Sequence, residues 1–241
     1  GFDSSKVKVV PCGVNPNIFK SIDEDRKNEI KKKLGINSQD FIISSVGAMT
    51  DNKGIDYLLA AFALLRKNNN NIKLILKDQS NLYNIKSQQI LNKLKNTKYE
   101  NLISEDLINN IFFISRNMDL STLNELYNIT DCYVSPYRAE GFNLTPLEAA
   151  ACGTPIIVTK GGSTDDYFDE KLGLQIESEI IQNGDLTSLK PKIDSLVKCI
   201  LSVMENPKTY GGLNGSEYIK KNFTWYSAVK KLYNIFTNNN V

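Results

Sequence analysis

Residues 131–166 read DCYVSPYRAEGFNLTPLEAAACGTPIIVTKGGSTDD. The apolar run Cys132-Tyr133-Val134 ends in Ser-Pro, as a buried strand does, and a loop follows with Glu140-Gly141 and then Phe142-Asn143-Leu144. Thr145-Pro146-Leu147-Glu148 has the form of a helix start. Thr145 can cap, Pro146 sits where a missing N–H costs nothing, and Glu148 lies three residues after the cap. Ala149 to Ala151 favour helix, Cys152-Gly153 stops it, and Pro155 to Thr159 is a new β-branched strand. Strand, loop, helix and strand make one parallel crossover. Its loop falls at the carboxyl end of a strand, where open α/β sheets take their ligands.

The first N–H groups of a helix are unpaired and carry partial positive charge, so the Asn143–Thr145 turn is a ready anion site. Glu140 precedes it and Glu148 stands in the first helical turn. A diphosphate joining two polyols suits this set: amides hold phosphate, and acids accept hydrogen bonds from hydroxyls. On local pattern alone two simpler readings stay open. Glu148 fits a capping box, and Glu140 fits a solvated loop acid.

Working outward, strand and helix alternate from residue 41 onward, which predicts a doubly wound, mostly parallel α/β sheet. Phe41 to Val46 is a continuous apolar strand. After Gly47–Gly54 comes a helix with Ile55, Leu58, Leu59, Phe62 and Leu65 at helical spacing. Ile72–Leu76 and Ile111–Ile114 read as strands, and Asp119–Tyr127 as a helix. Residues 23–39 read as a charged helix stopped at Gly35, 83–98 as an exposed amphipathic helix, and 98–110 as linker. Leu172–Ile176 reads as a short edge strand, followed by helices over Leu189–Met204, Leu213–Lys221 and Trp225–Phe236. In the last of these, Trp225, Tyr226 and Tyr233 are expected to pack in the core.

Composition narrows the chemistry. Net charge is +2 with both signs interleaved, which does not make a nucleic-acid surface. The chain has no histidine, so His-based acid–base catalysis, Ser-His or Cys-His nucleophile pairs and most zinc sites are excluded within it. Cys12, Cys132, Cys152 and Cys199 are scattered without metal or redox spacing. No apolar run approaches membrane-spanning length and no signal-peptide pattern opens the chain. A cytoplasmic setting is expected, with a peripheral membrane position open for a full-length protein. The start at Gly1 without Met is read as a fragment or a trimmed chain.

The second constellation is VGAMTDNKGIDYLLAAF, residues 46–62, where a strand ends at Gly47 and Lys53-Gly54 opens a helix. A lysine there can reach an anion held by the neighbouring crossover, although a solvated helix-start lysine is the simpler alternative. The loop lacks both G-x-G-x-x-G and the Walker A order, so dinucleotide and P-loop readings are weak. Asp165-Asp166 is discounted as a metal pair, because adjacent carboxylates at a helix start diverge.

EGFNLTPLEAAACGTPIIVT, residues 140–159, closely resembles the Glu-x7-Glu signature of retaining glycosyltransferases of the GT-B fold, glycosyltransferase family 4 in particular. Asn143 replaces the usual second glycine. VKVVPCGVNPNIF, residues 7–19, resembles the hinge segment that enters the C-terminal domain of these enzymes. The resemblance implies a Rossmann-like donor-binding half over 1–222, with residues 1–20 as hinge. It implies a last helix, 223–241, that packs toward an N-terminal acceptor-binding domain. The expected activity is transfer of a hexosyl unit, with retention, from a nucleotide diphosphate sugar to an acceptor hydroxyl on a glycan, lipid or protein. The alternative is a non-catalytic nucleotide-sugar or carbohydrate-binding module.

Carried over position by position, Glu140 and Lys53 are the expected catalytic residues. Gly47, Gly141, Phe142, Asn143, Leu144, Thr145 and Glu148 would line the donor, with Arg116 and Asn117 beside the base. No metal is required, because lysine and amides neutralise the diphosphate. The family's arginine position falls at Ala48 or Met49, so that cation is absent, and Arg138, Arg116 and Lys77 are candidate substitutes. Lys77 and Asp78 stand where the family has a glycine turn, and Gly161–Asp165 resembles its G-G-x-x-E loop.

Overall fold

A computed structural model describes residues 6–79, 87–95, 97–184 and 186–237. Six parallel strands form the sheet: β1 (Phe41–Val46), β2 (Ile72–Lys77), β3 (Ile111–Ile114), β4 (Cys132–Ser135), β5 (Ile156–Thr159) and β6 (Gly173–Ile176). Their order is β3-β2-β1-β4-β5-β6. The chain therefore winds outward from β1 to one edge, returns, and winds from β4 to the other. The switch point lies between β1 and β4, which pair through Ile43 with Cys132 and Ser44 with Tyr133. In such sheets the loops leaving the carboxyl ends of the two strands at the switch point are the usual ligand position.

Alternate strand residues feed opposite faces. Ile43, Leu74, Leu76, Cys132, Val134 and Ile157 pack under α2 (Ile55–Arg66) and the later helix α6 (Ile193–Glu205). Ile42, Ile75, Tyr133, Ile156 and Val158 face α4 (Leu120–Asn128), α5 (Leu144–Ala151) and α7 (Gly212–Asn222). Both faces are covered, which explains why the strands read as unbroken apolar runs. α1 (Glu24–Lys33) is capped by Asp23, which accepts from the Arg26 N–H, and it ends short of Gly35.

Several expectations are corrected here. The described part of 83–98 is a 3-10 helix, Ser87–Leu94, that buries Ile90 and Leu94 in the core. Residues 83–86 and the Asn-rich tail, 238–240, lie outside the described residues. The supposed linker 98–110 holds a 3-10 turn, Glu100–Leu102, and a short helix α3 (Glu105–Asn109) capped by Ser104. Leu189 opens no helix. It lies in an antiparallel hairpin, β7 (Ser178–Asn183) with β8 (Leu186–Pro191), and α6 begins only at Ile193.

The last helix, α8 (Trp225–Thr237), does not pack its aromatics inward. Ala228 is its one buried residue among those described, while Trp225, Tyr226, Val229, Leu232, Tyr233 and Phe236 are exposed. α7 already covers that part of the core, leaving α8 outside it. The N-terminal segment runs beside the start of α8, because Val14 donates its N–H to the Phe223 carbonyl and accepts from Trp225. Gly13 is needed for this approach, since a Cβ there would stand 2.2 Å from the Thr224 carbonyl carbon.

Candidate functional site

The β1 loop, residues 47–54, and the β4 loop, residues 136–143, meet over the switch point. Lys53 Nζ stands 2.5 Å from Glu140 Oε1, and both side chains are largely buried. The aliphatic end of Lys53 lies against Gly47, where an added Cβ would sit 3.4 Å from Cε. Gly47 itself has φ 144°, a backbone that side chains rarely adopt. The sequence thus places a cation and an acid on separate loops, and the fold brings them into contact.

Further links hold the loops together. The Arg138 N–H donates to the Asn52 carbonyl at 2.6 Å, and Asn52 Nδ2 donates to the Ala139 carbonyl at 3.2 Å. The Arg138 guanidinium makes a two-pronged pair with Asp56, at 2.9 and 2.6 Å, donates to the Asp51 carbonyl and covers the Tyr57 ring. Gly54, at φ 64°, lets the chains touch, because a Cβ there would stand 2.0 Å from the Pro136 carbonyl oxygen.

The helix start is shifted from its expected position. α5 begins at Leu144, and its N-cap is Asn143, held in the left-handed region at φ 64°. This is the sole non-glycine residue at positive φ among those described, and asparagine tolerates it better than most. The Asn143 side chain makes no cap. Its Nδ2 donates to Ser135 Oγ at 2.9 Å, and the Asn143 backbone carbonyl accepts from Tyr167 Oη at 2.8 Å. The first-turn amides of Leu144 and Thr145 therefore keep the partial positive charge of an uncapped helix end. Thr145 and Glu148 form no capping box, because the left-handed turn starts the helix before Thr145 is reached.

Freed from that role, Glu148 reaches under the helix to Tyr127, whose hydroxyl donates to Oε2 at 2.8 Å. Burial pushes the Glu148 carboxyl up to about 7, while the Tyr127 hydrogen bond pulls it back toward the ionised form. Tyr133 Oη shares its one proton between Thr145 Oγ1, at 2.7 Å, and the Val46 carbonyl, at 3.2 Å, and accepts from the Val46 N–H. Tyr133 thus ties the end of β1 to the start of α5. Burial raises its hydroxyl well above the ordinary value, and the charges of Glu148 and Glu140 both push the same way. Tyr133 touches Thr145 and the residue before Gly47, and it feels the charges of Glu140 and Glu148.

Other expected residues have different fates. Phe142 packs on Tyr167, with ring centroids 5.3 Å apart, and Gly141 is exposed beside it. Arg116 and Asn117 lie exposed in the turn after β3, at the same edge of the sheet but two strands from the switch point. Arg138 and Lys77, two of the three candidate substitutes for the arginine, both have partners within the protein. Arg138 is committed to Asp56, and Lys77 is buried, its ammonium on the Asp78 carbonyl and its pKa lowered by desolvation. Ala48 and Met49, at the arginine's own position, are buried. Asp78 is fully buried and accepts from Ser115 Oγ at 2.7 Å. Asp165 closes its own loop, accepting from the Gly161 N–H and from Gln175 Nε2. Among the described residues no cluster of three or more acids, cysteines or histidines is arranged to hold a metal.

Sequence reasoning missed Tyr127 and Tyr133 as supports and Arg138 as the clamp between the loops. Nothing in linear spacing reveals a hydroxyl that crosses from one element to another.

A family model described as glycosyl transferases group 1 matches residues 26–214, and the chain belongs to that family. Its fold is the C-terminal domain of a GT-B glycosyltransferase, Rossmann-like with a six-stranded parallel sheet. The structure of the C-terminal domain of a glycosyl transferase group 1 family protein (LpcC) from Francisella tularensis is similar. It matches at 20% identity with a TM-score of 0.66, over 88% of this chain and 100% of that one. HepE from Anabaena, solved in complex with UDP and glucose, matches at 16% identity with a TM-score of 0.75, over 98% of this chain and 58% of that one. Among curated relatives, mannosylfructose-phosphate synthase of Agrobacterium fabrum is 24% identical over 96% of this chain and 48% of its own length. The chain spans about half the length of that relative.

Proposed function

We propose that this domain binds the nucleotide diphosphate sugar of a retaining hexosyltransferase, the acceptor being a hydroxyl on a glycan, lipid or protein. The observation that carries the reading is the Lys53–Glu140 contact between the two loops over the switch point, with an uncapped helix start following the second loop. Glu140 faces the donor sugar near its reacting carbon. Lys53 and the Leu144 and Thr145 amides take the diphosphate and stabilise the charge that grows on it as the glycosidic bond breaks. Gly47 and Gly141 allow close backbone approach, Phe142 and Asn143 shape the turn, and Glu148 accepts from the ribose hydroxyls. Arg116 and Asn117 sit toward the base. Charge neutralisation falls to the lysine and the amides, so the reading calls for no metal. Complexes with UDP and UDP-glucose among the structural neighbours support a nucleotide-sugar ligand.

The exposed apolar face of α8, and the half-length match to relatives, support an acceptor-binding N-terminal half that packs on α8 in the complete protein. The domain alone then binds donor and transfers weakly or not at all. A cytoplasmic protein, peripheral at a membrane where the acceptor is a lipid, fits this reading; among the described residues no helix is long and apolar enough to cross one.

Calorimetric titration with UDP, GDP and ADP, with and without sugar, tests the donor site. Saturable binding of one of them is expected, and heat-silent titrations with all three remove the reading. A second reading, a non-catalytic binding module, rests on the missing arginine, because Arg138 and Lys77 are both engaged elsewhere. Turnover by the full-length protein separates the two.

A further inference from the structure

We propose that Tyr127 is a positioning residue for donor binding, which aims the Glu148 carboxylate at the nucleotide ribose and holds it ready to accept. The inference deepens the proposed function and rests on its assignment of Glu148.

The geometry leaves Tyr127 little freedom. Its side chain is wholly buried, packed against Phe19 at 5.9 Å and edge-on to Tyr133 at 5.7 Å between ring centroids. The Tyr127 carbonyl is held by Thr154 Oγ1 at 2.7 Å, which fixes the end of α4 against the end of α5. From that fixed ring the hydroxyl donates to Glu148 Oε2, a partner on another helix. Among the described residues this is the one hydrogen bond recorded for the Glu148 carboxylate, so Oε1 is left for a ligand. A phenylalanine would fill the same space. The hydroxyl is therefore unneeded for packing, and its function lies in what it does to the carboxylate.

Groups facing Glu148 supply no counter-charge. Tyr127 comes from α4, Tyr133 from β4 and Cys152 from the end of α5, and burial pushes all three toward their neutral forms. β5 contributes no ionisable side chain, and Lys220 of α7 acts on Cys152. With no cation beside it, the carboxyl is pushed up by burial to about 7, and Tyr127 alone opposes that push. An ionised carboxylate accepts from two hydroxyls, whereas the protonated form must use one oxygen as a donor. Donor affinity therefore falls as pH drops through the Glu148 midpoint, and loss of the Tyr127 hydroxyl moves that fall to higher pH.

The test compares the wild-type chain with Tyr127→Phe by two measurements. The first follows the Glu148 carboxyl carbon by NMR against pH, without nucleotide. The second measures UDP affinity from pH 6 to pH 9, with GDP and ADP run alongside. In Tyr127→Phe the carboxyl midpoint should rise and the affinity limb should move with it. At pH 7 affinity should fall about tenfold or more, as for loss of one hydrogen bond to a charged group, and recover toward pH 9. A mere packing defect would weaken binding equally at every pH. An unmoved midpoint overturns the inference, as does an affinity loss that is flat with pH. Glu148→Gln provides the second variant: its affinity should carry no such limb, and a limb that survives there overturns the inference even if Tyr127→Phe fails to fold. If the midpoint moves while no nucleotide binds the wild-type chain, the donor reading falls, and the claim on affinity falls with it.

Discussion

Glu140 and Glu148 close the two ends of one Glu-x7-Glu string, yet the fold treats them differently. Glu140 is met by a cation, Lys53, from the neighbouring loop. Glu148 is met by a neutral phenol and otherwise by apolar helix and strand. A counter-charge compensates burial directly, while a hydrogen bond offsets only part of it. Sensitivity to partner deletion therefore collects at Glu140, and sensitivity to pH at Glu148.

The largest effect that could break this contrast lies in turnover. In the full-length protein, Lys53→Ala or Glu140→Ala should lower the transfer rate by about 10²–10³-fold, the scale for removing one group that stabilises developing charge. An unchanged rate in steady-state assays would strip both of their assigned roles. Stability comes next. Lys53→Ala leaves Glu140 buried without its partner, and should cost the isolated domain about 2–3 kcal/mol in urea unfolding at pH 7. Lys53→Ala/Glu140→Ala together should recover most of that loss, which a double-mutant cycle will show.

Glu148 should respond in the opposite sense. Its carboxyl ionises near 4.5 when unfolded and near 7 in the fold. The folded state holds the extra proton across that interval, so stability falls as pH rises from 4.5 to 7, and the penalty is complete above 7. Glu148→Gln should accordingly stabilise the domain at pH 8 by about 3 kcal/mol, with the gain vanishing near pH 4.5. Thermal melts across that range check it, and a pH-independent difference would show that charge is not the cause. The smallest effect is a control. Lys160 and Glu177 pair with both side chains more than half exposed, so Lys160→Ala should change stability by less than about 0.5 kcal/mol.

The parts of this site legible in the sequence are those written in adjacent residues. Gly47, Lys53-Gly54 and the Glu140–Glu148 string each mark a loop that the strand pattern already places at the carboxyl edge of the sheet. The register of the helix start was not legible. Thr-x-x-Glu suits a capping box, and only the positive φ of Asn143 shows that the helix begins earlier. The β7–β8 hairpin was missed for a related reason. Leu189 fits the apolar spacing of α6, and the Asn183-Gly184 pair, where the chain turns, was not read as a hairpin. Trp225 and its neighbours read as core because amphipathic spacing shows which face is apolar, and is silent on what covers it. The tyrosine supports could not be read at all, since α4 and α5 are brought together only by the tertiary fold.

Gly54 and Gly141 also divide the two loops for protein engineers. At Gly54 the two chains lie so close that a single methyl would collide with Pro136, so its alphabet holds one letter. At Gly141 an added carbon meets nothing within 4 Å, so substitution has open ground there.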